Sequence, residues 1–228
     1  MSKLLDSLDS KHTEIVNFDH IKSLLEEEIS VSALELRDEE GNTAFLKACA
    51  IKGAVEIVEL LCDYGCNIYA KNKQNENAVC IASVSGDSDI IEYLVGKKDL
   101  DIEFRGQNKR TPVLKACTLK GNLENLKVLV KYQADLNKKD VDDMNGMNLA
   151  SKLGDVSMVE FIAGSNDKNN EKISYEEVGF NGRTPFLNAC SEKNTVGSGF
   201  ENTKNSYKVR DRWYWGFYFF VRVGSYFW

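Results

Sequence analysis

Histidine and proline are scarce in this sequence of 228 residues. The two histidines, His12 and His20, both lie near the N-terminus. The sequence therefore offers almost no candidate residues for a histidine general base, a catalytic dyad or a histidine-rich metal site. The sequence also lacks the Gly-x-Gly-x-x-Gly and Walker-type stretches that cradle phosphate groups. These absences predict a protein without catalytic activity, cofactor or bound metal.

Long apolar runs and an excess of positive charge are missing as well. Acidic residues interrupt every apolar stretch of residues 1–9, which does not match a signal or transit peptide. Residues 1–200 hold 24 basic against 33 acidic side chains, whereas a nucleic-acid-binding domain normally carries the opposite balance. We therefore expect a soluble cytoplasmic protein that binds neither nucleic acid nor membrane and keeps its six cysteines reduced.

Alanines recur along the chain at intervals of 34, 34, 34 and 39 residues. Five residues before each alanine stands a threonine or asparagine, whose side-chain oxygen accepts a hydrogen bond from the first turn of a helix. A fixed period of this length indicates stacked structural repeats. The capping residues and alanines of the five units are Thr43 and Ala48, Asn77 and Ala82, Thr111 and Ala116, Asn145 and Ala150, and Thr184 and Ala189.

Proline and glycine mark the two ends of the first helix in each unit. The only prolines, Pro112 and Pro185, directly follow capping threonines, and the first helical position tolerates proline because its N–H would have no helical partner. A glycine that follows the alanine in four units is typical of a left-handed turn. A second apolar helix and a polar loop then complete the unit. These glycines are Gly53, Gly86, Gly121 and Gly154.

Three segments carry a family resemblance. Residues 41–49 (Gly-Asn-Thr-Ala-Phe-Leu-Lys-Ala-Cys), 109–117 and 182–190 resemble the ankyrin signature Gly-x-Thr-Pro-Leu-His-x-Ala-Ala, and residues 60–67 resemble its Leu-Leu-x-x-Gly-Ala-Asp ending. The resemblance covers roughly residues 18–194. It implies an all-α ankyrin-repeat solenoid of stacked helix-turn-helix units with β-turn loops between them.

The repeat pattern also predicts the domain organisation. Residues 1–35 form an N-terminal helical cap, residues 36–194 form the repeat array, and residues 195–228 form a polar linker and an aromatic tail. The fifth unit is expected to be truncated, because a polar stretch replaces its second helix. The units lie near residues 36–69, 70–103, 104–137, 138–176 and 177–194.

Two features depart from the family pattern. The signature histidine is missing from all five units, which predicts a weak polar network between neighbouring units and compensation by apolar packing. The first, third and fifth units also carry one extra residue after the alanine, which predicts a bulged turn between the two helices. The residues in place of the histidine are Leu46, Cys80, Leu114, Asn148 and Leu187.

The cysteines favour packing over metal binding. Cys49, Cys117 and Cys190 share one signature position, where free cysteine behaves as a small apolar side chain. Cys62 and Cys66 are four residues apart, but no second Cys/His pair stands at zinc spacing.

An acidic stretch at residues 140–146 imitates a calcium-binding loop. When Gly146 is aligned with the sixth position of such a loop, Val141 falls at the first position and Lys152 at the twelfth. Both essential ligands are then missing, so the sequence predicts a polar turn between repeats and no calcium site.

The surface that remains is the predicted functional part. The resemblance implies a concave face, formed by the loops and the exposed side of each first helix, that binds one partner protein as a non-catalytic scaffold or adaptor. The array is expected to be monomeric. The predicted partner-binding residues are Arg37, Glu39, Lys47, Lys71, Lys73, Arg105, Lys109, Lys115, Asp140, Asp143, Asn181 and Asn188.

The aromatic tail supports an alternative function. Residues 213–228 contain ten aromatic side chains in sixteen positions, including all three tryptophans, and alternate with the period of an extended strand. The open alternatives are a non-native or sticky ending, a flap over the fifth unit, and an anchor for a membrane interface, a partner or a second copy.

Overall fold

The computed structural model of the chain describes residues 3–8, 17–27, 31–85, 87–165, 173, 176–179, 182–185 and 187–188. The chain divides into two units, Met1–Glu192 and Lys193–Trp228, and every described residue belongs to the first. The aromatic tail, Gly86, Ala189 and Cys190 lie outside the described residues, so their predicted roles stay predictions.

Short helices precede the repeats. They are α1 (Lys3–Ser7), α2 (Phe18–Glu27) and α3 (Val31–Leu34). In α2, Ile21, Leu24 and Leu25 are buried, and their three- and four-residue spacing places them on one face of the helix. This helix packs against α1 and against the second helix of the first unit, while α1 also contacts the first helix of that unit.

Two rows of helices form the array. The first helices of successive units pack on one another, and so do the second helices; within the described ranges every regular element is helical. This arrangement confirms the predicted all-α solenoid. The first helices are α4 (Ala44–Cys49), α6 (Ala78–Ser85), α8 (Pro112–Ala116) and α10 (Gly146–Leu153). The second helices are α5 (Val55–Asp63), α7 (Ser88–Glu92, continued by a π-helical turn at Tyr93–Lys97), α9 (Leu123–Lys131) and α11 (Val156–Gly164).

The repeated alanines of the first four units are buried within the stack of first helices. Ala48, Ala82, Ala116 and Ala150 have no exposed surface, and their small side chains let neighbouring first helices pack side by side. Cys49 and Cys117 are likewise fully buried. Their burial agrees with the prediction that this signature position serves core packing.

The predicted helix caps form in four of the five units. The side-chain oxygens of Thr43, Asn77, Asn145 and Thr184 each accept a hydrogen bond from the backbone N–H three residues later. Thr111 is the exception, because its buried hydroxyl makes no hydrogen bond. The prediction was wrong there, and Pro112, with its preset φ, starts α8 without side-chain capping.

The extra residue of the first and third units lengthens the connection between their helices, as predicted. The connections are residues 50–54 and 117–122 in these units, but only residues 86–87 and 154–155 in the second and fourth. The glycines in the longer connections, Gly53 and Gly121, have φ of +79° and +81°. Units therefore alternate in pairs, with a period of two repeats.

The second unit restores the 34-residue period with its π-helical turn. Lys98 donates its backbone N–H to Tyr93, and Leu100 donates to Leu94. Leu94 and Leu100 are six residues apart, whereas the equivalent Leu61 and Cys66 of the first unit are five apart. The second unit has a shorter connection between its helices than the first unit, and the additional residue at the end of its second helix compensates for the difference.

A left-handed residue closes the second helices of the first and third units, and it provides a test. Gly65 (φ +81°) and Gln133 (φ +64°) hold equivalent positions, each followed by a residue whose N–H reaches back to the third-last helical carbonyl. Such Schellman caps favour glycine, because a side chain strains a left-handed backbone. Gln133→Gly should raise the free energy of unfolding by about 1 kcal/mol.

The reciprocal change is the control. No atom lies within 4 Å of the position that a methyl group on Gly65 would take, so Gly65→Ala tests backbone strain alone and should lower the free energy of unfolding by about 1 kcal/mol. Urea unfolding of both variants measures the effect. Equal stability of Gln133→Gly and the parent chain would contradict the strained-cap account.

Candidate functional site

Five β-turns that share one pattern of backbone hydrogen bonds stand between the units. They comprise residues 38–42, 72–76, 106–110, 140–144 and 179–183. In each turn the first N–H donates to the fifth carbonyl and the fourth N–H donates to the first carbonyl, with N···O distances of 2.8–3.2 Å. The fourth residue always has positive φ, which closes the turn. These fourth residues are Gly41, Asn75, Lys109, Asp143 and Gly182.

In three turns, the side chain of the first residue accepts hydrogen bonds from the backbone of the same turn. Asp38, Asn72 and Asp140 each accept backbone N–H groups of their own turn through Oδ1, at 2.8–3.1 Å. Burial raises the pKa of Asp38, but hydrogen bonds from the Asn42 backbone and side chain outweigh it, and the net pKa lies below the ordinary value. These side-chain oxygens are therefore part of the turn structure.

Two arginines tie neighbouring turns together. Arg37 Nη1 donates to the carbonyls of Gly41 and Lys71, at 2.7 and 2.6 Å. Arg105, 68 residues later, donates in the same way to Lys139 at 3.1 Å. Both predicted partner-binding arginines thus link their own unit to the next one.

Backbone hydrogen bonds join the same pairs of turns. Lys73 donates its N–H to Glu40 at 2.9 Å, and Val141 donates to Asn108 at 3.0 Å. The first and second units are coupled in this way, and so are the third and fourth.

Four further predicted binding residues make contacts within the array. Lys47 pairs with Asp38 at 3.8 Å, and Asp140 pairs with Arg110 at 3.0 Å. Lys115 pairs with Glu76 of the preceding turn, and both side chains are only 12% exposed. Asn188 is 8% exposed and donates its amide to Asn148 at 3.0 Å. The structure gives all four side chains a role between or within units.

Asn148 also corrects the expectation of a weak polar network between the fourth and fifth units. Its amide donates to the Glu177 carbonyl at 3.0 Å while its oxygen accepts from Asn188. Asparagine therefore replaces the signature histidine as a bridge here.

The exposed predicted residues lie on the turn tips and beside them. Glu39, Lys73, Lys109 and Asp143 are solvent-exposed at the tips of four successive turns, although the Lys73 ammonium also donates to the Glu39 carbonyl at 2.7 Å. Lys71 is exposed and lies 4.4 Å from the centre of the Phe104 ring. Asn181 lies outside the described residues.

The ion pairs of two predicted binding residues were not recognised in the sequence. Glu76 and Arg110 complete the ion pairs with Lys115 and Asp140, and their partners lie 39 and 30 residues away. These sequence separations are longer than any local motif. Only a comparison of charged positions from one repeat to the next would have found these ion pairs.

Comparison with known families decides the class of this array. A family model described as ankyrin repeats in three copies matches residues 66–140, and another described as ankyrin repeats in many copies matches residues 31–82. Residues 31–140 are therefore ankyrin repeats. The turn geometry of the ankyrin array continues beyond the matched residues to the turn at 179–183.

Curated relatives of the ankyrin array have varied names. The chain is 32% identical to alpha-latrotoxin-Lg1a of Latrodectus geometricus over 54% of its own length but only 9% of the toxin. It is 29% identical to the DNA replication inhibitor plutonium of Drosophila melanogaster, over 60% of the chain and 74% of that protein. It is 30% identical to human transient receptor potential cation channel subfamily A member 1, over 46% of the chain and 9% of the channel.

A pair of thiols stands apart from the turns of the ankyrin array. Cys62, half-buried at the end of α5, accepts hydrogen bonds from the Cys66 thiol and from the Tyr93 hydroxyl, and the Lys98 ammonium lies nearby. The Cys66 hydrogen bond contributes most to lowering the pKa of Cys62 to about 7. Burial raises the pKa of Cys117 to about 12. Cys62 is therefore the thiol most easily ionised among the described cysteines.

This ionisation predicts a reactivity difference. The lowered pKa makes the thiolate, the nucleophilic form, more populated near neutral pH at Cys62 than at the other described cysteines, so iodoacetamide should modify Cys62 before them, with a rate that rises through pH 7. Peptide mass spectrometry after brief labelling measures the order. Tyr93→Phe removes one donor to the thiolate and should move the reaction midpoint to higher pH. Labelling of Cys62 with a midpoint near pH 9 in the parent chain would contradict the assignment.

The described part of the chain has neither a membrane-spanning helix nor a metal-binding cluster. No helix there is long and apolar enough to cross a membrane. No group of three or more histidine, cysteine or acidic side chains in the same residues is arranged to hold a metal ion.

Proposed function

We propose that this chain is a non-catalytic scaffold that binds a partner protein along the concave face of its ankyrin array, formed by the turn tips and the exposed side of the first helices. Ankyrin repeats generally mediate protein–protein interaction. The specific partner surface, an intracellular location, a monomeric state and the lack of enzymatic activity are parts of this proposal.

The main support is the contrast between the recurring backbone hydrogen bonds of the turns and their variable tip side chains. The hydrogen bonds and the positive φ recur in every turn, yet the exposed tips carry different charges. A rigid scaffold with a patterned charged edge suits recognition of a complementary protein surface. The charged tip residues are Glu39 and Glu40 in the first turn, Lys73 in the second, Lys109 in the third, and Asp142 and Asp143 in the fourth.

The names of the relatives describe different functions, which favours a shared binding module over a shared enzymatic reaction. They include a toxin, a replication inhibitor and a cation channel, and one repeat fold serves many unrelated functions. The part common to them is the repeat array, so the proposal assigns binding to this part and leaves the biological process open.

Charge reversal at the tips tests the proposal. The full chain and the variant Lys73→Glu/Lys109→Glu are used to capture partners from lysate of the source cell, with quantitative mass spectrometry. The control is Lys52→Glu/Lys120→Glu, which reverses two equally exposed lysines in the connections between helices. We expect a stoichiometric partner with the parent chain and the control, and its loss with the tip variant.

Two outcomes would overturn this proposal. One is equal capture by the tip variant and the parent chain, and the other is loss of the partner in the control alone. Circular dichroism and melting temperature must match among the three proteins, because only then does a difference in capture reflect the surface.

A further inference from the structure

A groove opens at the N-terminal end of the array, where α1 faces the first two turns. Its volume is about 500 Å³, which is within the range of ligand-binding clefts and large enough for a few side chains of a peptide. The walls come from α1, the first turn, α4, the second turn and α6. The groove is therefore built by elements on both sides of the first repeat interface.

The charges around this groove are strongly unbalanced. Five carboxylates line it, with Lys47 as the only cation among the described lining residues. Lys47 already pairs with Asp38, and Glu76 pairs with Lys115. Three exposed acids are left to set the sign of the rim: Asp6, Glu39 and Glu40. The ammonium of Lys73 lies at the edge, on the Glu39 carbonyl, and neutralises at most one of them.

The floor of the groove is apolar. Ala50 is exposed and Ile51 is half-buried, and the other apolar lining residues are buried: Ile81 of the next unit, Leu5, Leu8 and Leu46. An acidic rim alone attracts any cation, but an apolar floor inside it gains free energy only from a ligand that also carries apolar surface. Charge and apolarity together define the ligand more narrowly than either alone.

We propose that this groove binds a short segment of a partner protein in which lysine or arginine residues flank an apolar side chain. The apolar side chain contacts Ala50, Ile51 and Ile81, and the basic residues face Asp6, Glu39 and Glu40. The inference rests on the proposed scaffold function and adds the chemistry of the partner. It also places one contact at the N-terminal end of the face.

Defined peptides test the groove without knowledge of the partner. A short fluorescent peptide in which lysines flank a pair of leucines is titrated with the full chain, and anisotropy reports binding. Two matched peptides replace the lysines by glutamates or the leucines by serines. We expect the lysine–leucine peptide to bind about tenfold or more tightly than either control peptide. Its affinity should fall as salt screens the rim charges.

Substitutions in the groove locate the binding site. The variant Asp6→Asn/Glu39→Gln/Glu40→Gln removes the three rim charges and should weaken the lysine–leucine peptide about tenfold. Ala50→Lys places a cation on the exposed floor and should weaken it similarly. The matched control Glu56→Gln/Asp63→Asn/Glu160→Gln removes three exposed acids of the second helices and should leave the affinity unchanged.

Several results would overturn the inference. Equal binding of the serine peptide would mean that only counter-charge matters, and equal binding of the glutamate peptide would mean that the rim plays no part. Unchanged affinity in the rim variant would place the peptide elsewhere. Sedimentation velocity tests whether a second copy of this chain occupies the groove. If the parent chain self-associates and the rim variant does not, another copy fills the groove.

The groove and the scaffold function fail separately. If the cellular partner is lost in Lys73→Glu/Lys109→Glu but retained in the rim variant, and the lysine–leucine peptide does not bind, the scaffold proposal stands and the groove assignment is wrong. If the peptide binds the groove but no stoichiometric partner is captured, the groove chemistry stands and the scaffold proposal loses its support.

Discussion

Lys115→Met is expected to lower the free energy of unfolding by about 2 kcal/mol, because it leaves the nearly buried carboxylate of Glu76 without its cation. Glu76 belongs to the second turn and Lys115 to α8, so the ion pair crosses the interface between the second and third units. Methionine keeps most of the apolar stem of lysine and therefore isolates the loss of charge. Removal of one member of a fully buried pair costs roughly 3–5 kcal/mol, and the remaining exposure of both side chains reduces this value.

The double variant Lys115→Met/Glu76→Gln distinguishes an unpaired charge from lost packing. With both charges removed, no carboxylate is stranded, and stability should return to within about 1 kcal/mol of the parent chain. Urea unfolding of the parent, both single variants and the double variant completes the cycle. Lys127→Met, which opens the exposed pair with Glu124, is the control and should cost less than about 0.5 kcal/mol. A double variant as unstable as Lys115→Met would show that packing sets the loss.

The sequence predicted the array because each unit repeats its local signals. The capping residue, the alanine and the glycine act within one helix or turn, so each signal is local and recurs in most units. Gly53 and Gly154, for example, take the left-handed conformation that their position predicts. Local hydrogen bonding and steric limits are sufficient at these positions.

Contacts between units were harder to predict from the sequence. Lys47 and Lys115 were placed on an exposed face because they stand on the surface side of a first helix, but each finds an acid in a turn. Arg37 and Arg105 were predicted to bind a partner, which stays a prediction, but their hydrogen bonds to backbone carbonyls of the next unit were not foreseen. The acidic groove was missed because α1 is separated from the first turn by some thirty residues of sequence. In all of these cases the side chain's partner depends on the three-dimensional stacking.

Asp155 is the second residue at which a large effect is expected, because its carboxylate serves two units at once. One oxygen accepts the N–H of Met158 and caps α11, and the other accepts the N–H of Gly121 in the preceding unit at 2.9 Å. Asp155→Ala removes the cap and the link between units together, and should lower the free energy of unfolding by about 2–3 kcal/mol. Asp87 has the same two roles toward Ile90 and Gly53, so Asp87→Ala should repeat the result.

Asp155→Asn separates the two roles, because an amide keeps one accepting oxygen but turns the other into a donor. The cap of α11 should survive while the bond from Gly121 is lost, and the stability should fall by about half as much as in Asp155→Ala. Amide hydrogen exchange gives the residue-level readout: exchange at Gly121 should accelerate in both variants, whereas exchange at Met158 should accelerate only in Asp155→Ala. Glu160→Ala on the exposed side of the same helix is the control. Unchanged exchange at Gly121 in either variant would contradict this account. It would mean that the Asp155 carboxylate does not couple the third unit to the fourth, and that the turns and the apolar packing are sufficient.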